Sequence, residues 1–299
     1  MNRNKSRVCY CNITYKCNNN CRNCISHNVK RHTDREVTVE DYIFFKEHFH
    51  LDENDIWTIS GGEPTLSNNF VHIVNYCHSV SPHIIVYSNG RRLNLLPTEI
   101  LKKIERIIVP VYGEKAFHNR YVNSPYAYDE TMRSLKKIID IDPNKIDIKF
   151  MLQEYDQMEQ FFDSVNWSFL KQNKHFSVSR VLPSTEKSKC PDIIAKKAER
   201  IIKGLSKLGK NIRFYDIPVC LFTKDLQEYL SKVQIEVMTY DPIVICGSSE
   251  KRYKLFPFNK PTDILKKCIS CSMLSVCSMI MQNYFCPMLS GSKVIITTE

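Results

Sequence analysis

Three cysteines near the start of the chain, Cys17, Cys21 and Cys24, stand in a C-x3-C-x2-C spacing, in a loop that also carries Asn18, Asn19, Asn20 and Arg22. The spacing lets three thiolates converge on one metal centre. Three is an awkward number for structural zinc, which closes a tetrahedron of protein ligands. It suits an iron–sulfur cubane in which one iron is left open to an outside ligand. Cys9 and Cys11 could each supply a fourth thiolate, but both sit inside an apolar, β-branched run, where a cysteine packs as a small buried side chain.

Two short turns follow at intervals. Gly61-Gly62-Glu63-Pro64 places two adjacent glycines in a chain with only 8, so the backbone there needs freedom that a Cβ would deny. Ser88-Asn89-Gly90 comes after the next apolar run. A second set of cysteines crowds the C-terminal third: Cys220, Cys246, Cys268, Cys271, Cys277 and Cys286. In all there are 13 cysteines, an odd count in a chain of 299 residues with no apolar signal segment at its start. A chain this long does not need disulfide staples, so metal-binding or catalytic thiols in a reducing, cytoplasmic setting are the better reading.

The elements that position these groups alternate in period. Strands are predicted over Val8–Thr14, Ile56–Ser60, His83–Ser88, Arg106–Tyr112, Lys145–Leu152 and Phe176–Leu182, with helical stretches near Thr38–His50, Asn69–Ser79, Pro97–Lys103, Tyr126–Asp140 and Asp156–Lys171 between them. Such βα repeats make a parallel sheet with its site at the C-terminal strand ends. Six units are too few for a closed eight-unit barrel, leaving a partial (β/α)6 TIM-type barrel or a doubly wound sheet. The clearest helix covers residues 190–209, with Pro191 at its start and Gly209 after its last turn. Ile194, Ala198, Ile201, Ile202, Leu205 and Leu208 form one stripe; Lys196, Lys197, Arg200, Lys203, Lys207 and Lys210 form the other, a solvated face or a docking surface for an acidic partner. After a further strand at Asn211–Asp216 the periodicity degrades, which predicts one domain over residues 1–212 and a small cysteine-rich one over 213–299. No apolar run approaches the roughly 18 residues of a membrane span. The formal charge of +10 favours anionic partners without naming them.

The triplet after the first strand, Gly61-Gly62-Glu63-Pro64 after the second and Ser88-Asn89-Gly90 after the third together resemble the radical S-adenosylmethionine (SAM) superfamily over residues 8–182. The resemblance implies that Cys17, Cys21 and Cys24 hold a 4Fe-4S cluster whose open iron is chelated by SAM. It implies a reaction in which one electron, from an external donor such as flavodoxin or ferredoxin, cleaves SAM to a 5′-deoxyadenosyl radical that abstracts a substrate hydrogen. Gly61, Gly62, Glu63 and Pro64 would then present backbone to the SAM amine, Ser88 and Asn89 would contact its carboxylate or ribose, and Arg180 would pair with the carboxylate. An aromatic residue commonly precedes the third cysteine in the family; here the position is Asn23.

Cys268-x2-Cys271-x5-Cys277, preceded by Cys220, is similar to the C-terminal twitch or SPASM auxiliary-cluster region. That likeness implies a second auxiliary 4Fe-4S cluster held by four thiolates, with Cys246 competing with Cys220 for the fourth place and a zinc ribbon-like site sharing the spacing. Met281 stands where the longer pattern has a further cysteine. A fully ligated cluster suits accepting the electron left after hydrogen abstraction. Cys190, ahead of the basic helix, could return a hydrogen atom to a substrate radical, and Cys77 and Cys286 read as packing. Val109-Pro110-Val111-Tyr112-Gly113, with His118 and Tyr126 after it, resembles a stretch of radical SAM maturases that borders the substrate cavity.

These features point to radical modification of a ribosomally made peptide by crosslinking, epimerisation or oxidation. The alternatives are an oxidoreductase acting on a small molecule, such as a sugar or aminoglycoside precursor, and a non-catalytic iron–sulfur or zinc protein that binds nucleic acid, against which the glycine turn argues. Seven residues precede the first strand, so leader recognition is expected from a separate protein or from the basic helix.

Overall fold

The structure is a computed structural model and describes residues 7–24, 36–153, 158–164, 167–180, 191–215, 217, 221–232, 241–246, 254–255 and 296–298. Its centre is an eight-stranded sheet in the order β7-β6-β5-β4-β3-β2-β1-β8. The strands are β1 (Arg7–Thr14), β2 (Ile56–Gly61), β3 (Ile84–Tyr87), β4 (Arg106–Val111), β5 (Ile146–Leu152), β6 (His175–Arg180), β7 (Asn211–Tyr215) and β8 (Asp241–Cys246). Every neighbouring pair runs parallel.

Strands one to seven lie side by side in chain order, with no reversal. A doubly wound sheet reverses its order part-way and places helices on both faces, so that alternative is excluded. Alternate residues of β1 to β6, among them Cys9, Cys11, Trp57, Ile59, Ile84, Val86, Ile107, Val109, Ile146, Ile148, Phe176 and Val178, join one buried cluster with the apolar stripes of the connecting helices. These helices are α1 (Val39–Phe49), α2 (Phe70–Val80), α3 (Thr98–Lys103), α5 (Ala127–Ile141), α6 (Met158–Ser164) and α8 (Pro191–Lys207). One cluster on one side of the sheet is the arrangement of a partial barrel. The intervening residues face the other way, as the two-residue period of a strand requires; Tyr10, Asn12, Thr58, Ser60, Asp147, Lys149, Ser177 and Ser179 are polar, whereas Ile85, Ile108 and Pro110 of the central strands are not. There Ser177 Oγ donates to Asp147, whose carboxylate is fully buried, and Arg213 Nη1 lies 3.6 Å from it.

The six predicted strands are present with ends shifted by a residue or two. The sheet is wider than the six units expected: β7 pairs with β6, and β8 pairs with β1 at the opposite edge. The boundary expected between residues 212 and 213 falls within β7. The Ile243–Cys246 run is part of β8, and sequential reasoning missed its long return to the sheet because parallel partners need not be neighbours in sequence. The helix predicted over Asp156–Lys171 contains two short ones, α6 and α7 (Trp167–Leu170), and α4 (Lys115–Val122) had no apolar stripe to announce it. A further helix, α9, spans Lys224–Lys232, and a short antiparallel pair, β9 (Lys254–Leu255) with β10 (Ile296–Thr298), completes the described elements.

On α8 the apolar stripe is buried from Ile194 to Leu205, whereas Leu208, past the helix end, is exposed; the basic stripe is largely engaged. Lys197 Nζ donates to the Gln153 carbonyl at 3.0 Å, Lys203 pairs with Glu199 at 2.6 Å, Arg200 reaches Glu159 and Asp163 of α6, and Lys210 donates to the Lys171 carbonyl. Among the described residues, no helix is long and apolar enough to cross a membrane.

Candidate functional site

The C-terminal ends of β1, β2 and β3 bring the three motifs together. Beyond Thr14 the chain turns into the cysteine loop, and that loop is fastened to the end of α4. Its last carbonyls have no partner within the helix, and two of them accept from the loop: Asn20 N donates to Val122 O at 2.9 Å and Arg22 N to Tyr121 O at 3.0 Å. Asn123, left-handed at φ 52°, ends the helix at this point. Cys17, Cys21 and Cys24 are all of intermediate exposure. By contrast Cys9, Cys11 and Cys77 are fully buried on the helix side of β1, as their strand and helix positions predict.

The two glycines are required by the neighbouring backbone. At Gly61, with φ at 142°, a Cβ would stand 2.2 Å from the Thr14 carbonyl oxygen; at Gly62 it would stand 2.4 Å from that of Lys16. Gly62 N donates to Thr14 O at 2.7 Å and Glu63 N to Lys16 O at 2.8 Å. The turn thus lies directly against the chain that leads into Cys17. The sequence suggests open access for a ligand at these glycines; the structure adds a tighter reason, the close approach of β1 and β2.

Glu63 is fully buried, and its carboxylate is taken up by four donors. Its Oε1 accepts from Thr65 N, Thr65 Oγ1 and Ser88 Oγ, and its Oε2 accepts from Asn89 N at 2.7 Å. Burial pushes its pKa up and these donors pull it back. The carboxylate therefore ties the glycine turn to the Ser88-Asn89-Gly90 turn. From there Asn89 Nδ2 donates to Asn18 Oδ1 at 2.7 Å and lies 3.9 Å from Cys17 Sγ, while Arg91 donates to the Asn18 carbonyl and to Asn19 Oδ1 and pairs with Glu130 of α5. Arg91 carries no motif signal in the sequence beyond following Gly90.

An aromatic wall closes one side. Tyr112, at the end of β4, stacks on Tyr121 of α4 with ring centroids 4.1 Å apart, and Cys21 packs against this group. Asn23 supplies no ring, yet its backbone amide reaches the Tyr121 hydroxyl. His118 is 2% exposed; its Nδ1 faces Tyr112 N at 3.5 Å, and burial first, then the Arg91 charge, lowers its pKa to about 4. It is a satisfied neutral imidazole, and Tyr126 is exposed.

Arg180 closes β6 opposite Leu152, and the backbone of Cys246 lies beside Asn12. The side chains of these two residues, and Cys190, Cys220, Cys268, Cys271, Cys277 and Cys286, fall outside the described residues.

The donor set fits a cluster. Among the described residues no three His, Cys, Asp or Glu side chains gather tightly enough for a single ion. Zinc would need its thiolates about 2.3 Å from one point. In a cubane each thiolate takes a separate iron, so three half-exposed thiols on one loop can stand further apart. The pattern of the Radical SAM superfamily matches residues 11–165, which spans all three motifs. The chain belongs to this family. Radical SAM enzymes carry SAM and a 4Fe-4S cluster, and they are catalytic.

Solved structures agree in fold. Streptococcus suis SuiB bound to precursor peptide SuiA superposes with a TM-score of 0.59 at 12% identity, covering 94% of this chain and 71% of that one. SuiB bound to S-adenosylmethionine gives a TM-score of 0.55 at 14% identity over 81% and 56%. Native anSMEcpe with bound AdoMet and Kp18Cys peptide gives 0.50 at 14% identity over 70% and 63%. This chain thus spans between about half and three quarters of the length of these proteins. No curated protein matches the sequence.

Proposed function

We propose that this radical SAM enzyme modifies a ribosomally made peptide, by crosslinking, epimerisation or oxidation. The observation that carries this reading is the set of polar residues on the inner face of the sheet, Tyr10, Asn12, Thr58 and Ser60 on one side and Lys149, Ser177 and Ser179 on the other. Such a face can hydrogen-bond the backbone and polar side chains of a peptide, where an apolar lumen would reject them. The likeness of fold to SuiB with SuiA and to anSMEcpe with a peptide supports the same substrate class.

In this reading Cys17, Cys21 and Cys24 hold the cluster, which supplies one electron to cleave SAM and generate a carbon radical. Gly61, Gly62 and Pro64 offer backbone carbonyls to the SAM amine; Asn89 and Arg180 would bind its carboxylate and ribose, while Ser88, whose hydroxyl donates to Glu63, supports the turn. Glu63 acts by holding the two turns together. Tyr112 and Tyr121 shield the loop from water and provide the flat surface that Asn23 lacks. We place an auxiliary 4Fe-4S cluster on Cys220, Cys268, Cys271 and Cys277, within a cysteine-rich segment following residue 212. An external flavodoxin or ferredoxin in the cytoplasm delivers electrons, and a separate protein presents the leader.

The test is to incubate the reconstituted enzyme with SAM, a reductant and short peptides encoded beside its gene. A mass change in one peptide, matched by 5′-deoxyadenosine, is the expected result. Consumption of a sugar or aminoglycoside precursor with every peptide untouched would move the substrate to the small-molecule class.

A further inference from the structure

We propose that Asn89 and Arg91 are positioning residues for Cys17 and that they raise the reduction potential of the cluster this thiolate holds. The inference rests on the reading of Cys17 as a cluster ligand and deepens it.

Two N–H groups address the Cys17 sulfur: Asn19 N at 3.4 Å and Asn89 Nδ2 at 3.9 Å. Neither is free to drift. Asn89 is fixed at three other atoms, since its N donates to Glu63 Oε2 at 2.7 Å, its carbonyl accepts from Thr131 Oγ1 at 3.0 Å and its Oδ1 accepts from Arg91 N at 3.0 Å. Asn18 and Asn19, the first two residues of the bridge from Cys17 to Cys21, are held from the same turn. Asn89 Nδ2 takes Asn18 Oδ1, and the Arg91 guanidinium takes the Asn18 carbonyl and Asn19 Oδ1. Arg91 is itself anchored by Glu130, which offsets part of its charge, and its side chain is only 11% exposed, so solvent screens the remainder little.

Electrostatics then gives the sign. Reduction adds one negative charge to the cluster and its thiolates. N–H dipoles aimed at a ligating sulfur, and a largely buried cation bonded to the cysteine loop, stabilise the more negative state more than the oxidised one, and so raise the potential. Without them the external donor would meet a cluster that is harder to reduce.

The experiment is an EPR-monitored potentiometric titration of the anaerobically reconstituted full chain without SAM, after iron content and the visible spectrum have been matched to wild type. In Asn89→Leu the ratio of reduced to oxidised cluster at a fixed potential should fall several-fold, up to about tenfold, or about 59 mV for a one-electron couple. Arg91→Gln should act in the same direction, and Arg91→Lys, which keeps the charge but loses the fork, should fall between it and wild type. Should Asn89→Leu fail to fold, Asn89→Asp keeps the shape and the bond from Arg91 N while replacing the donor with a negative charge, and its shift should be at least as large. A full cluster with unchanged potential in these variants overturns the inference, and weakened SAM binding alone would make Asn89 a cofactor contact only. A wild-type chain that takes up no cluster overturns instead the reading of Cys17.

Discussion

Each of the three motifs proves to be wired to the next by single side chains. Glu63 and Arg91 do most of this, and neither was legible as such. Glu63 was expected only to present its backbone to the cofactor, and that its carboxylate joins two turns through four donors is visible in coordinates alone. The cysteine triplet was legible because thiol spacing is itself the chemistry. His118 yields a pH test. Its folded pKa is about 4, below the 6.5 of a free imidazole, so the unfolded chain takes up the proton first as pH falls. The stability this group contributes is present above about pH 6.5 and is lost down to about pH 4, by at most about 3 kcal/mol. Chemical denaturation across this range should show a shallower loss for His118→Leu than for wild type; equal slopes would mean that the imidazole is not buried neutral. The triplet makes its own prediction: Cys21→Ala should fold, since its thiol is half-exposed, yet lose the iron that wild type retains after desalting.

Among the elements, the close approach of β1 and β2 has the largest mechanical consequence. Gly62→Ala sets a methyl against the Lys16 carbonyl and should cost about 3 kcal/mol or more, with loss of iron as the cysteine loop shifts. Gly209→Ala is the control: its φ of 63° strains a side chain, but nothing lies within 4 Å, and about 1 kcal/mol should suffice. Paired melts of the two variants check this; similar losses would contradict the contact. The amphipathic pattern of α8 correctly located its buried face, while the basic face misled. Charge along a stripe does not reveal partners on other elements, and Lys197, Arg200 and Lys203 find theirs within the fold. Lys197→Glu should therefore lower stability by about 1–3 kcal/mol in a melt, by setting a carboxylate against a carbonyl, and is no clean probe of docking. Lys196, which is exposed, is the better one.

For the molecule as a whole, alternation of strand and helix periods was enough to give a parallel sheet, and the sequential strand order decides for a partial barrel. Of the extra strands, β7 was recognisable as a strand but not as a member of this sheet, and the place of β8 beside β1 was not legible, because pairing across the width of a barrel leaves no local trace. Their placement lets residues following 210 border both edges of the sheet. The central claim concerns the loop at its mouth. Anaerobically reconstituted protein, given SAM and dithionite, should release 5′-deoxyadenosine, and the Cys17→Ala, Cys21→Ala, Cys24→Ala triple variant should release none. Iron-loaded wild type that forms no 5′-deoxyadenosine, or a triple variant that forms as much as wild type, would contradict the account.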